Sequence, residues 1–323
     1  MQRKLFNRLA LAGLGALLCG LVQAQSGTPI SLVVGYSAGG SADFVARVVG
    51  AELTKRLGRQ VIIENVVGAS GMLALQKVRN APADGNLIYM GGTDTVVVPM
   101  VNPKVKHDWD KDFEPLGRTT TVPMILAVPA ASKFNTLADL IGSLRQSGST
   151  SFSYATPGIG TMQHFYGSLI NAKAKVSMLH IPYRGGAQIA NDLVGGQVES
   201  AVLVLSTAMP FLKDGKIKAL SVSDTARVPQ LPNVKRLGEE EGFAGLALPL
   251  WQGFFVKSGT PAATVAAYEK ALMESLAQPE VRTKLSEAGL TPAPLKGQEL
   301  RAFIKPQAEL YREIVSVAKI SLE

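Results

Sequence analysis

Apolar positions along the chain alternate between two rhythms. Ile30, Leu32, Val33 and Val34 form a short β-branched run that breaks into Gly35-Tyr36-Ser37-Ala38-Gly39-Gly40. Immediately afterwards Phe44, Val45, Val48, Val49, Leu53 and Leu57 recur at three- and four-residue spacing, and Gly58 supplies a stop. The first pattern predicts a strand, the second an amphipathic helix, with a tight glycine loop between them. The alternation continues with a strand over 60–64, a glycine turn at 68–71, a helix over 72–80 and a strand over 87–90 that ends at Gly91-Gly92-Thr93-Asp94. Strand and helix in strict succession predict a parallel α/β sheet, with ligand beyond the carboxyl ends of the strands.

The middle of the chain repeats the design. Strands are expected over 123–129, 152–156, 176–182 and 201–205, and helices over 137–144, 162–170 and from Ala187. The strand at 152–156 breaks at Pro157-Gly158-Ile159-Gly160-Thr161 before its helix, as the opening strand does. An apolar strand over 250–256 then returns to the first half, and helices over 264–276, 280–287 and 297–317 close the chain. The division expected is a first lobe from 25–122 plus 250–323 and a second from 123–249.

Both glycine loops leave backbone N–H groups unpaired at the positive end of a helix, which suits an anion. The glycine spacing gives neither G-x-G-x-x-G nor a P-loop, so nucleotide binding is not expected. Gly35-Tyr36-Ser37-Ala38-Gly39 does match G-x-S-x-G, the setting of a hydrolase serine. That rival, a secreted serine hydrolase using Ser37, needs several preceding strands and a late histidine. Only about ten mature residues precede the loop, and the three histidines are His107, His164 and His180. The plain alternative is a glycine turn that only joins strand to helix.

Composition narrows the setting. Arg3, Lys4 and Arg8 precede an apolar run over 9–22 that ends in Val22-Gln23-Ala24, so 1–24 is expected to be a cleavable signal peptide. The single cysteine, Cys19, lies within it, which leaves a mature chain without disulfides or thiol chemistry. The formal net charge of +8 falls to +5 on cleavage, and the remaining cations are scattered. Nucleic acid is therefore not an expected partner. No His/Asp/Glu pair around His164 or His180 has metal-ligand spacing, so no metal and no cofactor is expected.

With these residues assembled, the chain resembles the periplasmic solute-binding proteins of tripartite tricarboxylate transporters, the Bug family. The blocks that carry the resemblance are residues 32–43, Ala81-Pro82-Ala83-Asp84-Gly85, Trp109-Asp110-Lys111-Asp112-Phe113, residues 154–164, His180-Ile181-Pro182-Tyr183-Arg184-Gly185, Gly195-Gly196-Gln197-Val198 and Gly259-Thr260-Pro261. The resemblance implies an α/β, type II-like periplasmic binding protein of two lobes. Each lobe is then a mainly parallel sheet flanked by helices, with the ligand cleft between lobes. It implies a monomeric, non-enzymatic binder of a small organic carboxylate, delivered to the large and small membrane subunits of a transporter. Delivery to a sensor receptor stays open. Carried over by position, one anchor is Tyr36, Ser37, Ala38, Gly39, Gly40 and Ser41, with Asp43 organising the loop. The other is Gly158, Gly160, Thr161 and His164. Thr93 and Tyr183 are further candidates at the cleft. Leu203 and Val204 stand at a strand end where relatives often carry Asp or Asn, which points to aliphatic or aromatic dicarboxylates above amino acids.

Overall fold

The computed structural model describes residues 27–318 except 103, 149, 225, 226 and 249. The expected signal peptide, 1–24, and Cys19 lie outside the described residues. Strand β1 (Ile30–Val34) is buried at four of its five positions and pairs in parallel with β2 (Val61–Asn65) on one side and β3 (Leu87–Gly92) on the other. An almost unbroken apolar run fits that central place, because helices cover both faces of such a strand. Helix α1 (Ser41–Leu57) follows the first glycine loop and ends at Gly58 in the left-handed conformation. Helix α2 (Met72–Asn80) leads into β3.

Helix α3 (Thr93–Val101) starts directly at the end of β3, where the sequence pattern stops at a strand end. Its run Thr-Asp-Thr-Val-Val-Val-Pro is poor in intrinsic helix propensity. Burial of Thr93, Thr95, Val96, Val97, Val98 and Val101 outweighs that preference, and Thr95 Oγ1 accepts the Gly92 N–H at 3.1 Å to close the first turn. The short helix α4 (Trp109–Asp112) then opens onto β4 (Phe113–Val122), a strand the periodicity misses.

Only Pro123 separates β4 from β5 (Met124–Pro129), which lies in a second sheet. That sheet continues through α5 (Leu137–Ser147), β6 (Ser153–Thr156), α6 (Met162–Ala174), β7 (Leu179–Pro182), α7 (Gly186–Val194), β8 (Ser200–Val204), α8 (Leu205–Lys213) and β9 (Ile217–Val222). The chain returns with β10 (Leu250–Lys257) and finishes with α9 (Ala262–Ala277), α10 (Pro279–Glu287), β11 (Thr291–Lys296) and α11 (Gly297–Ala318).

The first sheet has the order β11-β4-β10-β3-β1-β2 and the second β7-β6-β8-β5-β9. Both are mixed. Parallel pairing is confined to β2-β1-β3 and β7-β6-β8, whereas β10 is antiparallel to β3 and β4, β11 to β4, and β5 to β8 and β9. The expectation of mainly parallel sheets holds for those three-strand halves only. The strands β5 and β10 carry the chain between sheets without a crossover helix of their own, and parallel pairing needs such a crossover. Among the described residues no helix is long and apolar enough to cross a membrane.

Candidate functional site

The two sheets face each other across a cavity of about 60 Å³, several times the roughly 10–15 Å³ that admits one water. Helix starts dominate its wall. Gly40, Ser41 and Ala42 come from the start of α1, Thr93, Asp94 and Thr95 from α3, Gln163 from α6, Gly186 from α7, and Val204 and Thr207 from α8. Five helix N-termini, each of a helix nine residues or longer, thus converge on one space. The starts of α1, α7 and α8 have no side-chain cap. Among the described residues the lining contains no Lys, Arg or His. An anion bound here would rest on helix ends and neutral donors.

The first loop is held from below by Asp43, which is buried beneath it. Asp43 Oδ2 accepts the Gly39 N–H at 3.0 Å, Arg47 donates to both carboxylate oxygens at 2.8 and 2.9 Å, and Asn65 Nδ2 donates to Oδ1 at 3.0 Å. Asn65 also donates to the Tyr36 carbonyl at 2.9 Å. Burial pushes the Asp43 carboxyl up, but these donors outweigh it and hold its pKa below the usual carboxylate range. Gly39 has φ of 81°, a left-handed conformation that turns its N–H inward to Asp43.

Of the candidates in the first loop, Tyr36, Gly40 and Ser41 reach the cavity. Ser41 Oγ accepts from Gln252 Nε2 at 3.1 Å, which leaves its own proton for a ligand. Ser37 instead sits against Gly185 of the second half, its Oγ buried without a hydrogen-bond partner. Ala38 is exposed, and Gly39 lies beside Ala187. Among the described residues no histidine or other base hydrogen-bonds to Ser37 Oγ, as a triad serine requires. His164 and His180 stack on each other at 4.1 Å, and His107 Nε2 pairs with the Thr95 carbonyl at 2.8 Å.

Of the second loop only Pro157 lines the cavity; Gly158, Gly160, Thr161 and His164 do not. Gly158 N–H donates to Thr156 Oγ1 at 3.4 Å, Gly160 N–H to His164 Nδ1 at 3.1 Å, and Thr161 N–H to the Gly158 carbonyl at 3.4 Å. Thr161 is fully buried as the cap of α6. Gly158, Gly160, Thr161 and His164 therefore spend their polar groups on one another. Burial lowers His164 to about 4; burial and its neighbour His164 lower His180 to about 3, so both rings are neutral. Among the described residues no group of three or more His, Cys, Asp or Glu is placed to hold a metal ion.

The anion that faces the start of α6 is a side chain. Asp94 Oδ1 accepts the Met162 N–H at 2.8 Å and Asp94 Oδ2 accepts from Tyr36 Oη at 2.6 Å. Burial pushes the Asp94 carboxyl up to about 6, although both hydrogen bonds favour its charged form. Thr93, expected at the cleft, does line the cavity, and its Oγ1 accepts the Trp251 N–H at 3.0 Å. Leu203 and Val204 form an apolar stretch of the same wall. Tyr183 lies outside, in a more open groove with Arg184, Ser70 and Gly158.

Sequence reasoning misses Gln163 and Thr207. Both are buried, at 6% and 7% exposure, and Gln163 Oε1 and Thr207 Oγ1 have no hydrogen-bond partner. Thr207 follows a strand end at a helix start, a signal available from pattern alone. Gln163 is the second residue of α6, and nothing in its neighbourhood marks it in sequence.

Residues 45–320 match the family described as tripartite tricarboxylate transporter family receptor. A protein encoded in the tcbD–tcbE intergenic region of a Pseudomonas species is 31% identical over 287 residues, covering 89% of this chain and 85% of that one. Among solved structures, an R. palustris protein with adipate superposes with a TM-score of 0.86 at 26% identity, covering 91% of this chain and 98% of its own. MatC from Rhodopseudomonas palustris with bound malate gives 0.83 at 29%, covering 89% and 98%. The periplasmic binding protein BugD gives 0.86 at 28%, covering 91% and 99%.

Proposed function

We propose that this chain, which belongs to the tripartite tricarboxylate transporter receptor family, binds a small organic carboxylate in the cavity between its sheets. It does so in the periplasm, after loss of residues 1–24, and passes the acid to the large and small membrane subunits of a tripartite transporter. It acts as a binder and not as an enzyme.

The observation that carries the reading is the convergence of five helix N-termini on a cavity lined by no cation. A favourable helix terminus contributes about 0.3–2 kcal/mol and a hydrogen bond to a charged group about 1.5–3 kcal/mol. A few of each account for the ~8 kcal/mol of micromolar binding. The adipate and malate held by the two R. palustris relatives fit the same chemistry. Leu203 and Val204 offer the hydrocarbon body of an acid an apolar wall and offer an ammonium nothing. The one carboxylate in the lining, Asp94, already accepts from Tyr36 and Met162. We therefore expect adipate and malate to bind more tightly than aspartate and glutamate.

Calorimetry on refolded, ligand-free protein decides it. Micromolar or tighter binding of a dicarboxylate with weaker binding of the amino acids supports the reading. No heat with any of the four acids, or preference for aspartate or glutamate, sinks it.

A further inference from the structure

We propose that ligand binding in this cavity is coupled to uptake of one proton by Asp94, so that the binding protein releases its acid more readily as pH rises. This rests on the carboxylate-binding reading above.

Among the described residues Asp94 is the one carboxylate in the cavity wall, and the other ionisable side chains there are the phenols of Tyr36 and Tyr89. Each element packed around it can be named. The loop before α1 contributes Tyr36, β3 contributes Tyr89, and α11 contributes Tyr311, whose ionisation is opposed by the Asp94 charge. The start of α6 contributes the Met162 N–H, and the nearest ring on that helix, His164, is turned to Gly160 N and stacked on His180. Burial holds all three phenols protonated and both histidines neutral. None of these groups is a cation at neutral pH. A ligand carboxylate entering the cavity therefore adds a second negative charge to a space that has only helix ends and neutral donors such as the Tyr36 hydroxyl to offset the first. Two carboxylates confined in this way raise the pKa of one of them. Asp94 starts at about 6, within reach of neutral pH.

The local hydrogen bonds can take the proton without rearrangement. Tyr36 Oη donates to Asp94 Oδ2 at 2.6 Å, and it also has the Ser70 carbonyl at 3.4 Å as a second acceptor. A proton from solvent placed on Oδ2 donates back to Tyr36 Oη, whose own hydrogen swings to Ser70. Oδ1 goes on accepting the Met162 N–H throughout. Tyr36, Asp94 and Met162 come from both halves of the molecule, so the protonated form keeps the halves joined.

The test is calorimetry of adipate and malate binding in two buffers of different ionisation enthalpy, over about pH 6.5 to 8, where side-chain-like carboxylates are ionised in free solution. Wild type should take up close to one proton per ligand, with affinity falling about tenfold per pH unit in the upper part of the range. Asp94→Asn retains an acceptor for Met162; it should bind with little pH dependence and take up no proton. Thermal melts confirm that this variant is folded. Absence of proton uptake in wild type overturns the proposal, as does undiminished uptake in Asp94→Asn. Tighter binding of aspartate or glutamate without proton uptake overturns it too, since an ammonium would then neutralise Asp94. If none of these acids binds at any pH, the carboxylate reading itself fails, which is a different result from binding without uptake.

Discussion

The Met162 N–H donates to Asp94 Oδ1 at 2.8 Å, and this bond ties the start of α6 in one half of the molecule to the start of α3 in the other. A carboxylate at a helix start is a favourable arrangement, yet here it is deep in the molecule and away from cations. Burial wins, and the carboxyl is pushed up to about 6 from an unfolded value near 3.8.

That direction fixes how Asp94 contributes to stability. Between about pH 4 and 6 the folded protein holds a proton that the unfolded chain has released, so the Asp94 contribution falls as pH rises through this window and is constant above it. The penalty at neutral pH is up to about 3 kcal/mol. Ligand-free Asp94→Asn is expected to melt higher than wild type at pH 7.5, with the gap closing toward pH 4. Thermal unfolding across that range checks it; a gap that stays constant with pH would contradict it.

Asp43 behaves in the opposite sense. Its folded pKa is depressed by Arg47, Gly39 N–H and Asn65 in spite of burial, so its contribution is fully present above the unfolded value and is lost as pH falls through the folded one. Asp43→Ala takes the acceptor from the Gly39 N–H and one of the two acceptors from the Asn65 amide, which keeps the Tyr36 carbonyl, while half-exposed Arg47 finds water. The expected cost is about 1–2 kcal/mol at pH 7, from the lost charge-assisted hydrogen bonds to partly exposed donors. Urea denaturation at pH 7 and near pH 3 should show the cost shrinking in acid.

How far the sequence discloses this site depends on how local each signal is. The loop Gly35–Gly40 and its helix are set by adjacent residues, and Tyr36, Gly40 and Ser41 reach the cavity. Leu203 and Val204 sit at a strand end, and strand ends point into the cavity in this fold. The second glycine loop has the same local pattern, yet its N–H groups are consumed by Thr156, His164 and the Gly158 carbonyl. Periodicity says nothing about such competition. β4 escapes notice for a related reason: Phe113–Val122 carries Gly117 and Arg118 within a strand that is interior only because β10 and β11 return to flank it. Helix α3 is hidden by its valines, since burial and not propensity makes it helical.

Gln163 and Thr207 offer a test that separates binding from folding. Each holds a buried oxygen with no partner, which costs stability in the empty protein and is repaid by a ligand. Gln163→Leu and Thr207→Val should each raise the ligand-free melting temperature, by the equivalent of about 1 kcal/mol, while weakening carboxylate binding roughly tenfold or more. Melting curves and calorimetry on the same samples check this. A variant that loses stability and keeps its affinity would show the oxygen to be structural.

The contact of Gly185 with Ser37 joins the two halves, and it tests whether a hinge motion closes them on the ligand. Gly185 has φ of 173°, extended backbone that alanine adopts without strain. A Cβ there would nevertheless lie 1.9 Å from Ser37 Oγ, 3.0 Å from its Cβ and 3.2 Å from its backbone N. Rotating the serine hydroxyl away relieves the first clash but leaves the other two tight. The cost falls on bringing the halves together and not on folding either of them. Gly185→Ala should therefore leave the ligand-free melting temperature of the open molecule close to wild type, enlarge its radius of gyration in small-angle scattering with ligand present, and weaken carboxylate binding by about tenfold or more, because the competent closed population shrinks. Adding Ser37→Gly removes the Oγ and Cβ contacts and should recover most of the affinity. If Gly185→Ala binds normally, closure does not bring Gly185 onto Ser37. If the double variant stays as weak as the single one, the lost affinity comes from some other effect of the alanine.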